Sequence, residues 1–249
     1  MRKQSHSSCL GHANPVYGLM LYRLHYAPDN ASLIVRLALL ELEQPSETIL
    51  VDRRLKAQKS SEYLKLNPNG LIPVLEAGDQ KIFETGAILL WLCEQHDALA
   101  GPKQQRSAFL TWLFWLSNTL HPALRLLFYP EKYIDSDPAH SIALRDAQKQ
   151  RLTSLIDIIA EECSNNDILK YDDTPNILHF YLCTCLRWLA LYPHDQTQWF
   201  ELDTWPNLKA LCEMLETRDS VHIAAQAEGL GPTVFSQPHY PNPPEGSAL

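Results

Sequence analysis

Two short stretches of the sequence carry residues whose types and spacing are suited to binding a small polar ligand. In "NGLIPVLE", residues 69 to 76, Pro73 interrupts an apparent strand at a place where a backbone N–H should pair. The bond before a proline adopts the cis form at little cost, and such a bend can turn the backbone groups of Ile72 outward. Glu84 and Thr85 then begin a predicted helix, whose first N–H groups and dipole favour an anion. Helix capping is the other interpretation of Glu84 and Thr85.

A further set of candidate residues lies on one face of a later predicted helix. Along "TWLFWLSNTLHPALR" spacings of four and three bring together Thr111, Trp115, Asn118, Pro122 and Arg125. Polar residues on so apolar a helix are explained either by a substrate cleft or by a hydrogen-bond network between helices. The sequence leaves both explanations open. Pro122 is expected to kink this helix.

The elements that must position these residues change character near residue 100. "LYRLHYA" and "ETILVD" alternate apolar and polar residues, as half-buried strands do, and they enclose the helical pattern "ASLIVRLALLELE". A short helix, the proline-containing strand, the strand "KIF" and a helix from Thr85 follow. This order is the thioredoxin-like arrangement, and the rest of the chain is helical almost throughout. We therefore predict an α+β, two-domain fold, with an N-terminal thioredoxin-like domain and a C-terminal all-helical domain.

The predicted boundaries follow the changes in composition. We expect a thioredoxin-like domain at residues 20–97, a linker at 98–106 and an all-helical domain at 107–230. Residues 1–19 are polar and lack the apolar core of a secretory signal, which predicts a flexible extension. Residues 231–249 are rich in proline and without periodicity, which predicts a flexible tail.

Composition excludes several classes of partner. A formal net charge of -8 argues against nucleic acid or an anionic membrane surface, since both require a basic protein. No apolar run is long enough for a membrane-spanning helix. The six cysteines are dispersed, which predicts thiols in a reducing cytoplasm, and the ten histidines show no metal-ligand spacing, so no metal site is predicted.

Residues 62 to 92, "EYLKLNPNGLIPVLEAGDQKIFETGAILLWL", resemble the glutathione-binding half of the cytosolic glutathione S-transferases. The most specific part is an NPxGxxPxL segment spaced before E-[ST]-x-A-I, and the resemblance covers about residues 20 to 230. "FLTWLFWLSNTLHPALRLLFYP" is similar to a bacterial subgroup of that superfamily. The resemblance implies a cytoplasmic homodimer with glutathione as co-substrate, which adds the glutathione thiolate to a small, largely apolar electrophile in a detoxification reaction.

The resemblance also implies roles for six glutathione-binding residues: Gln58, Lys59, Ile72, Pro73, Glu84 and Thr85. Ile72, before a cis Pro73, would pair through its N–H and C=O with the cysteinyl backbone of glutathione, as a short antiparallel strand does. Thr85 would hold the γ-glutamyl carboxylate, and Glu84 would meet the α-amino group. Gln58 and Lys59 lie in the loop where the family binds the glycyl carboxylate, and solvated loop residues are the other interpretation of this pair.

The start of the first helix departs from the family pattern. "YAPDNASLIVRL" is similar to the bacterial beta-class motif Y-x-P-G-A-C-S-L, but Ala31 stands at the cysteine position and Ser32 at the serine. The enzyme thiol is therefore absent, and the thiol of glutathione itself must be activated. Our first candidate is Ser32, through Oγ or its backbone N–H, with Asn30 second and Tyr26 third. Capping of the helix is the other interpretation of Asn30 and Ser32.

Two alternative functions stay open at this point. One is a glutathione-dependent disulfide or peroxide reductase, in which two glutathiones do the redox chemistry without an enzyme cysteine. The other is a non-catalytic protein that binds glutathione conjugates or a partner protein. The residues Thr111, Trp115, Asn118 and Arg125 are our candidates for the second-substrate cleft.

Overall fold

The structure is a computed structural model, and it describes residues 21–135, 137–171 and 174–248. The extension predicted for residues 1–19 lies outside the described residues. The two-domain architecture predicted from the sequence is confirmed: a four-stranded mixed sheet with helices comes first, and helices alone follow.

The sheet consists of four short strands: β1 (Tyr22–Tyr26), β2 (Ser46–Leu50), β3 (Val74–Ala77) and β4 (Gln80–Phe83). Their order across the sheet is β2-β1-β3-β4, with β1 parallel to β2 and antiparallel to β3. At the centre Leu24 is in register with Thr48 on β2 and with Leu75 on β3. Leu24 and Leu75 are fully buried, whereas β2 is an edge strand whose residues are mostly exposed. The sheet core therefore lies under β1 and β3.

Three helices complete the N-terminal domain: α1 (Ser32–Glu41), α2 (Ser61–Leu64) and α3 (Thr85–His96). The apolar spacing of α1 buries Leu33, Ile34 and Leu37, and this helix packs against α3 and against the helical domain. The hydroxyl of Ser60 accepts a hydrogen bond from the Tyr63 N–H at 3.2 Å, which caps α2.

The helical domain contains six helices in the described part of the chain: α4 (Arg106–Trp115), α5 (His121–Phe128), α6 (Pro138–Asn165), α7 (Ile177–Leu191), α8 (Pro206–Glu216) and α9 (Asp219–Glu228). A π-helical turn at Leu116–Leu120 joins α4 to α5. Helix α7 is buried along almost its whole length and forms the centre of this domain. It begins with a capping pair, in which Asn176 Oδ1 accepts from the Leu178 N–H and His179 Nδ1 accepts from the Asn176 N–H. Within the described ranges, no helix combines the length and hydropathy needed to cross a membrane.

The proline-rich segment after α9, residues 229–248, packs against both domains instead of forming the predicted flexible tail. Val234 and Phe235 are buried, and the Tyr240 hydroxyl donates to the Leu191 carbonyl at 2.7 Å. Further on, Glu245 accepts a hydrogen bond from Tyr26 of β1 at 2.5 Å, and the Ala248 carbonyl accepts one from Arg53. The segment therefore runs from the helical domain back onto the thioredoxin-like domain, and we call it the C-terminal strap.

Candidate functional site

A cavity of about 1160 Å³ lies between the thioredoxin-like domain and the helical domain. Its thioredoxin-like side is formed by the loop before α1, the loop before α2, the segment before β3 and the start of α3. The opposite side is formed by the π-helical turn, α5, α7 and the segments that follow those helices. All six residues predicted to bind glutathione line this one cavity: Gln58, Lys59, Ile72, Pro73, Glu84 and Thr85.

The segment before β3 presents an unpaired piece of backbone to the cavity. The bond between Ile72 and Pro73 is cis, as predicted. The N–H and C=O of Ile72 have no hydrogen-bond partner among the described residues, whereas Val74 is already paired with β1. The preceding carbonyl, of Leu71, is fixed by hydrogen bonds from Tyr63 Oη and Asn67 Nδ2, both at 2.8 Å. A rigid loop therefore offers one donor and one acceptor in the geometry that an extended peptide can pair with.

Glu84 and Thr85 lie at the start of α3, on the same cavity. Glu84 has φ 70°, a left-handed conformation that costs an L-residue energy and is concentrated at functional sites. Its side chain makes no capping hydrogen bond, and it has no ion pair with any residue in the described ranges. Capping therefore does not account for Glu84. Glu84 is exposed and lines the cavity, directly before the first turn of α3, where free N–H groups favour an anionic ligand.

The loop that carries Gln58 and Lys59 borders the cavity and contacts the NPNG turn. The Oε1 atom of Gln58 is buried and has no hydrogen-bond partner in the described part of the chain. Lys59 Nζ lies 3.4 Å from the Asn69 carbonyl oxygen. Gly70 has φ 61°, and a Cβ at this position would lie 2.8 Å from the Gln58 carbonyl oxygen and from Lys59 Nζ. The glycine is required both by its conformation and by this close approach.

Replacing Gly70 with alanine should displace this loop. We expect a loss of about 1 to 3 kcal/mol in the free energy of unfolding, because the left-handed conformation is strained and the methyl group meets backbone. Urea unfolding measures this loss. Gly78→Ala is the matched control, since Gly78 has φ 59° but its Cβ would meet nothing within 4 Å. Equal losses in the two variants would contradict the proposed close approach.

The structure does not place the Ser32 hydroxyl where it was predicted. Ser32 is fully buried and does not line the cavity. Its Oγ donates to the Ala27 carbonyl at 3.0 Å and accepts from the Ala27 N–H at 3.2 Å. Both hydrogen-bonding roles of the hydroxyl are therefore used inside the protein, which conflicts with direct contact to a ligand thiol. Tyr26 likewise faces away from the cavity, with its hydroxyl on Glu245.

Asn30 and Ala31 do line the cavity, at the end of the loop that enters α1. The Oδ1 atom of Asn30 accepts a hydrogen bond from the Ala31 N–H at 2.9 Å. This bond identifies the oxygen of the side-chain amide, so the other terminal atom is the NH₂ group. That NH₂ group has no hydrogen-bond partner among the described residues. Asn30 therefore supplies a neutral hydrogen-bond donor directly before Ala31, the position of the cysteine in the beta-class motif.

Two of the four residues predicted for the second-substrate cleft, Asn118 and Arg125, line the cavity. Thr111 and Trp115 do not: the Thr111 hydroxyl donates to the Ser107 carbonyl at 2.9 Å, and Trp115 packs on Trp112 with ring centroids 5.3 Å apart. The physical reason is the π-helical turn at Leu116–Leu120, which rotates α4 relative to α5. The prediction assumed one uninterrupted helix, so it was wrong on the N-terminal side of this turn.

The helical side of the cavity also contains an aromatic wall that the sequence prediction missed: Phe114, His121, Phe128, Tyr129, Tyr133, Tyr181, Trp188 and Tyr192. His121 Nδ1 lies 2.9 Å from the Tyr181 hydroxyl, and its ring lies 5.2 Å from that of Trp188. Burial, and secondarily the Arg125 charge, lower the pKa of His121 to about 4, so this imidazole is neutral at pH 7. His121 lies four residues before Arg125, and this spacing, which puts both residues on one helical face, could have identified His121 from the sequence.

A buried charge network fixes the loop that carries Asn30. The Asp29 carboxylate accepts hydrogen bonds from Arg187 Nε at 2.8 Å, Trp188 Nε1 at 3.0 Å and the Tyr192 hydroxyl at 2.8 Å. The Asp29 N–H donates to Glu228 at 2.8 Å. Burial raises the pKa of Glu228 to about 7. This network joins the start of α1 to α7 and α9 and was not predicted, because its members are far apart in the sequence.

Comparison with known proteins agrees with this arrangement. Residues 31–95 match the family model described as "Glutathione S-transferase, N-terminal domain". The protein "Glutathione S-transferase GST-4.5" of Xanthomonas campestris is 27% identical over 212 residues, which are 84% of this chain and 99% of the relative. The "Disulfide-bond oxidoreductase YfcG" of Escherichia coli is 35% identical over 109 residues, 41% of this chain, and the match spans only 51% of that relative.

A solved structure titled "Ternary complex of BphK, a bacterial GST" superposes with a TM-score of 0.69 at 28% sequence identity, covering 84% of this chain and 100% of that one. The fold and the cavity define a protein with a thioredoxin-like domain and a helical domain that together enclose a ligand site. Along most of its length the chain is therefore similar in sequence and in fold to the cytosolic glutathione S-transferases.

Proposed function

We propose that this chain is a glutathione transferase, which activates the thiol of glutathione for attack on a small, largely apolar electrophile. One observation carries the proposal. Ile72, whose backbone N–H and C=O have no partner among the described residues, lines the same cavity as Glu84, whose carboxylate makes no capping hydrogen bond at the N-terminus of α3. A γ-glutamyl tripeptide has the complementary groups: a backbone to pair with Ile72, an ammonium group and a carboxylate.

The proposed binding mode assigns a partner to each polar group of glutathione. The cysteinyl N–H and C=O pair with Ile72. The γ-glutamyl carboxylate is held by the Thr85 hydroxyl and the first N–H groups of α3, and the α-amino group is held by Glu84. The glycyl carboxylate lies toward Lys59, and the glycyl backbone can satisfy the buried Oε1 of Gln58. Pro73 keeps Ile72 in its outward conformation.

Activation of the thiol falls to the start of α1. A free thiol of this kind has a pKa near 8.5, so only a few per cent is thiolate at pH 7. The NH₂ group of Asn30 and the N-terminal end of α1 both stabilise an adjacent thiolate. The thiolate then forms a bond from sulfur to the electrophilic carbon, while the thiol proton passes to water.

The test is calorimetric titration of the protein with glutathione. We expect binding by the wild type and about tenfold weaker binding by Glu84→Gln, because a charge-assisted contact to the ammonium group is lost. Glu161→Gln is the matched control, since Glu161 is exposed on α6 and does not line the cavity. Absence of glutathione binding by the wild type would overturn the proposal, and equal binding by Glu84→Gln would overturn the role of Glu84.

Similarity to the cytosolic glutathione S-transferases supports a homodimer that acts in the cytoplasm, and we include both in the proposal. Sedimentation of the purified chain gives the assembly directly. A monomer at micromolar concentration would contradict the homodimer without affecting the glutathione site.

A glutathione-dependent disulfide reductase is the second candidate. Ala31 occupies the cavity position of the beta-class cysteine, so two glutathiones would supply both electrons. A relative that is named as a disulfide-bond oxidoreductase, YfcG, favours the same reaction. Glutathione that binds with an unshifted thiol pKa would favour this candidate or a non-catalytic binding protein over the transferase.

A further inference from the structure

The cavity carries more positive charge than the proposed glutathione site uses. Among the described residues that line it, four basic side chains stand against two acidic ones: Arg53, Lys59, Arg125 and Lys132, and Asp29 and Glu84. Asp29 is neutralised by Arg187 inside the protein. With Lys59 and Glu84 assigned to glutathione, Arg53, Arg125 and Lys132 remain. The surplus is unexpected in a chain whose formal net charge is -8.

These three residues, which we call the cationic end, gather around two tyrosines. Arg53 Nη2 donates to the Tyr129 hydroxyl at 3.1 Å, and Lys132 Nζ lies 3.9 Å from the centroid of the Tyr129 ring. Arg125 Nε donates to the Tyr133 hydroxyl at 3.1 Å. None of the three forms an ion pair within the described ranges, so their partners are neutral groups. Phenol oxygens and ring faces orient these cations without cancelling their charge.

The cationic end borders the aromatic wall. The Phe128 ring packs between Tyr129 and Tyr192, with centroid distances of 6.3 and 6.1 Å. An apolar surface that ends in arginine and lysine side chains without an ion-pair partner among the described residues is complementary to a molecule with an apolar body and a terminal anion. Arginine in particular suits a carboxylate, which it can bind with two parallel hydrogen bonds.

We propose that the second substrate carries a carboxylate, which Arg53, Arg125 and Lys132 bind while the apolar body lies against the aromatic wall. This inference rests on the proposed function, because it describes the other substrate of the same cavity. The inference narrows the class of second substrate from a small, largely apolar molecule to one that also carries a negative charge. The carboxylate belongs either to an electrophile or to a disulfide, and the two sources are separated by experiment.

Two matched pairs of substrates test the inference. The first pair is the neutral 1-chloro-2,4-dinitrobenzene and the anionic 4-chloro-3,5-dinitrobenzoate. In both, sulfur bonds to the carbon that bears chlorine, chloride leaves with the electron pair, and the thiol proton goes to water. The second pair is the neutral bis(2-hydroxyethyl) disulfide and the anionic 3,3′-dithiodipropionate. Here two glutathiones are oxidised to glutathione disulfide and one substrate disulfide is reduced to two thiols.

The readout is the ratio of kcat/KM for the anionic member to kcat/KM for the neutral member of each pair. We expect Arg125→Gln/Lys132→Gln to lower this ratio about tenfold at low salt in the pair that is turned over. The control is Lys81→Gln/Lys103→Gln, which removes the same charge from exposed positions outside the cavity and should leave the ratio unchanged. The pair that responds identifies the source of the carboxylate. An unchanged ratio in every active pair would overturn the inference.

A chain that turns over none of the four substrates is tested by binding. The probes are S-(2,4-dinitrophenyl)glutathione and its analogue with a carboxylate on the ring, titrated by calorimetry. Tighter binding of the carboxylate analogue by the wild type, lost in Arg125→Gln/Lys132→Gln, would uphold the anion site while the transferase function fails. Equal affinities for the two conjugates would overturn the inference independently of any turnover.

Discussion

Asn30→Ala is expected to raise the thiol pKa of bound glutathione by about one to two units, toward the free value of about 8.5. The NH₂ group of Asn30 lines the cavity without a partner in the described chain, and the substitution removes it. Because one pKa unit is a tenfold change in thiolate, kcat/KM at pH 6.5 should fall about ten- to a hundredfold. Ultraviolet titration of the bound thiolate measures the shift, and initial rates measure the loss.

Ser32→Ala is the control for this prediction. Its hydroxyl bonds only the backbone of Ala27, so its removal leaves a buried N–H and C=O without partners. We expect it to lower the free energy of unfolding by about 1 to 3 kcal/mol and to leave the thiol pKa unchanged. The reverse result, a shifted pKa in Ser32→Ala and none in Asn30→Ala, would return the thiolate contact to Ser32 and refute our assignment.

Arg187→Met is expected to be the most destabilising substitution outside the cavity. The side chains of Arg187 and Asp29 are both 0% exposed, and methionine would leave the Asp29 carboxylate buried without its cation. Removing one partner of a buried ion pair costs about 3 to 5 kcal/mol, since the remaining charge is neither paired nor hydrated. Urea unfolding gives the loss in the free energy of unfolding.

Two companion variants interpret the result. Lys103→Met breaks an ion pair with Asp97 whose side chains are 81% and 76% exposed, so its loss should stay within about 1 kcal/mol. Asp29→Asn/Arg187→Met removes both charges and should recover part of the stability lost in Arg187→Met. A loss in Arg187→Met no larger than that in Lys103→Met would show that Trp188 and Tyr192 alone satisfy Asp29.

The residues that were predicted from contiguous signals, Ile72, Pro73, Glu84 and Thr85, lie together at one cavity, and their contacts with glutathione stay a prediction. The segment from Ile72 to Thr85 combines a proline, a turn and a helix start within a few residues, and each of these signals is local. Local signals were sufficient for the half of the site that we assign to glutathione.

The failures have distinct physical causes. The π-helical turn at Leu116–Leu120 holds one residue more than an α-helical turn, so the residues before it face a different side of the helix from the one that regular spacing predicts. The hydrophobic pattern of the sequence does not show where such an extra residue is accommodated. Serine and asparagine are equally common at helix starts, so residue type alone could not show that Asn30 lines the cavity while the Ser32 hydroxyl is buried in the protein. Proline content suggested a flexible tail, but Val234 and Phe235 bury enough apolar surface to hold that segment. The cationic end was not predicted, because Arg53 and Lys132 belong to different domains and come together only at Tyr129 in the folded chain.

The C-terminal strap has a thermodynamic consequence for the whole molecule. Tyr26 directly precedes the loop that carries Asn30, and its hydroxyl is held by Glu245 of the strap. We therefore expect detachment of the strap and loosening of that loop to be linked equilibria, so that whatever stabilises one also stabilises the other. The rate of proteolysis near Glu245 should therefore change when the loop at the start of α1 becomes more or less ordered. A ligand that orders Asn30 would protect the strap from cleavage, although it touches none of the strap's bonds to Tyr26.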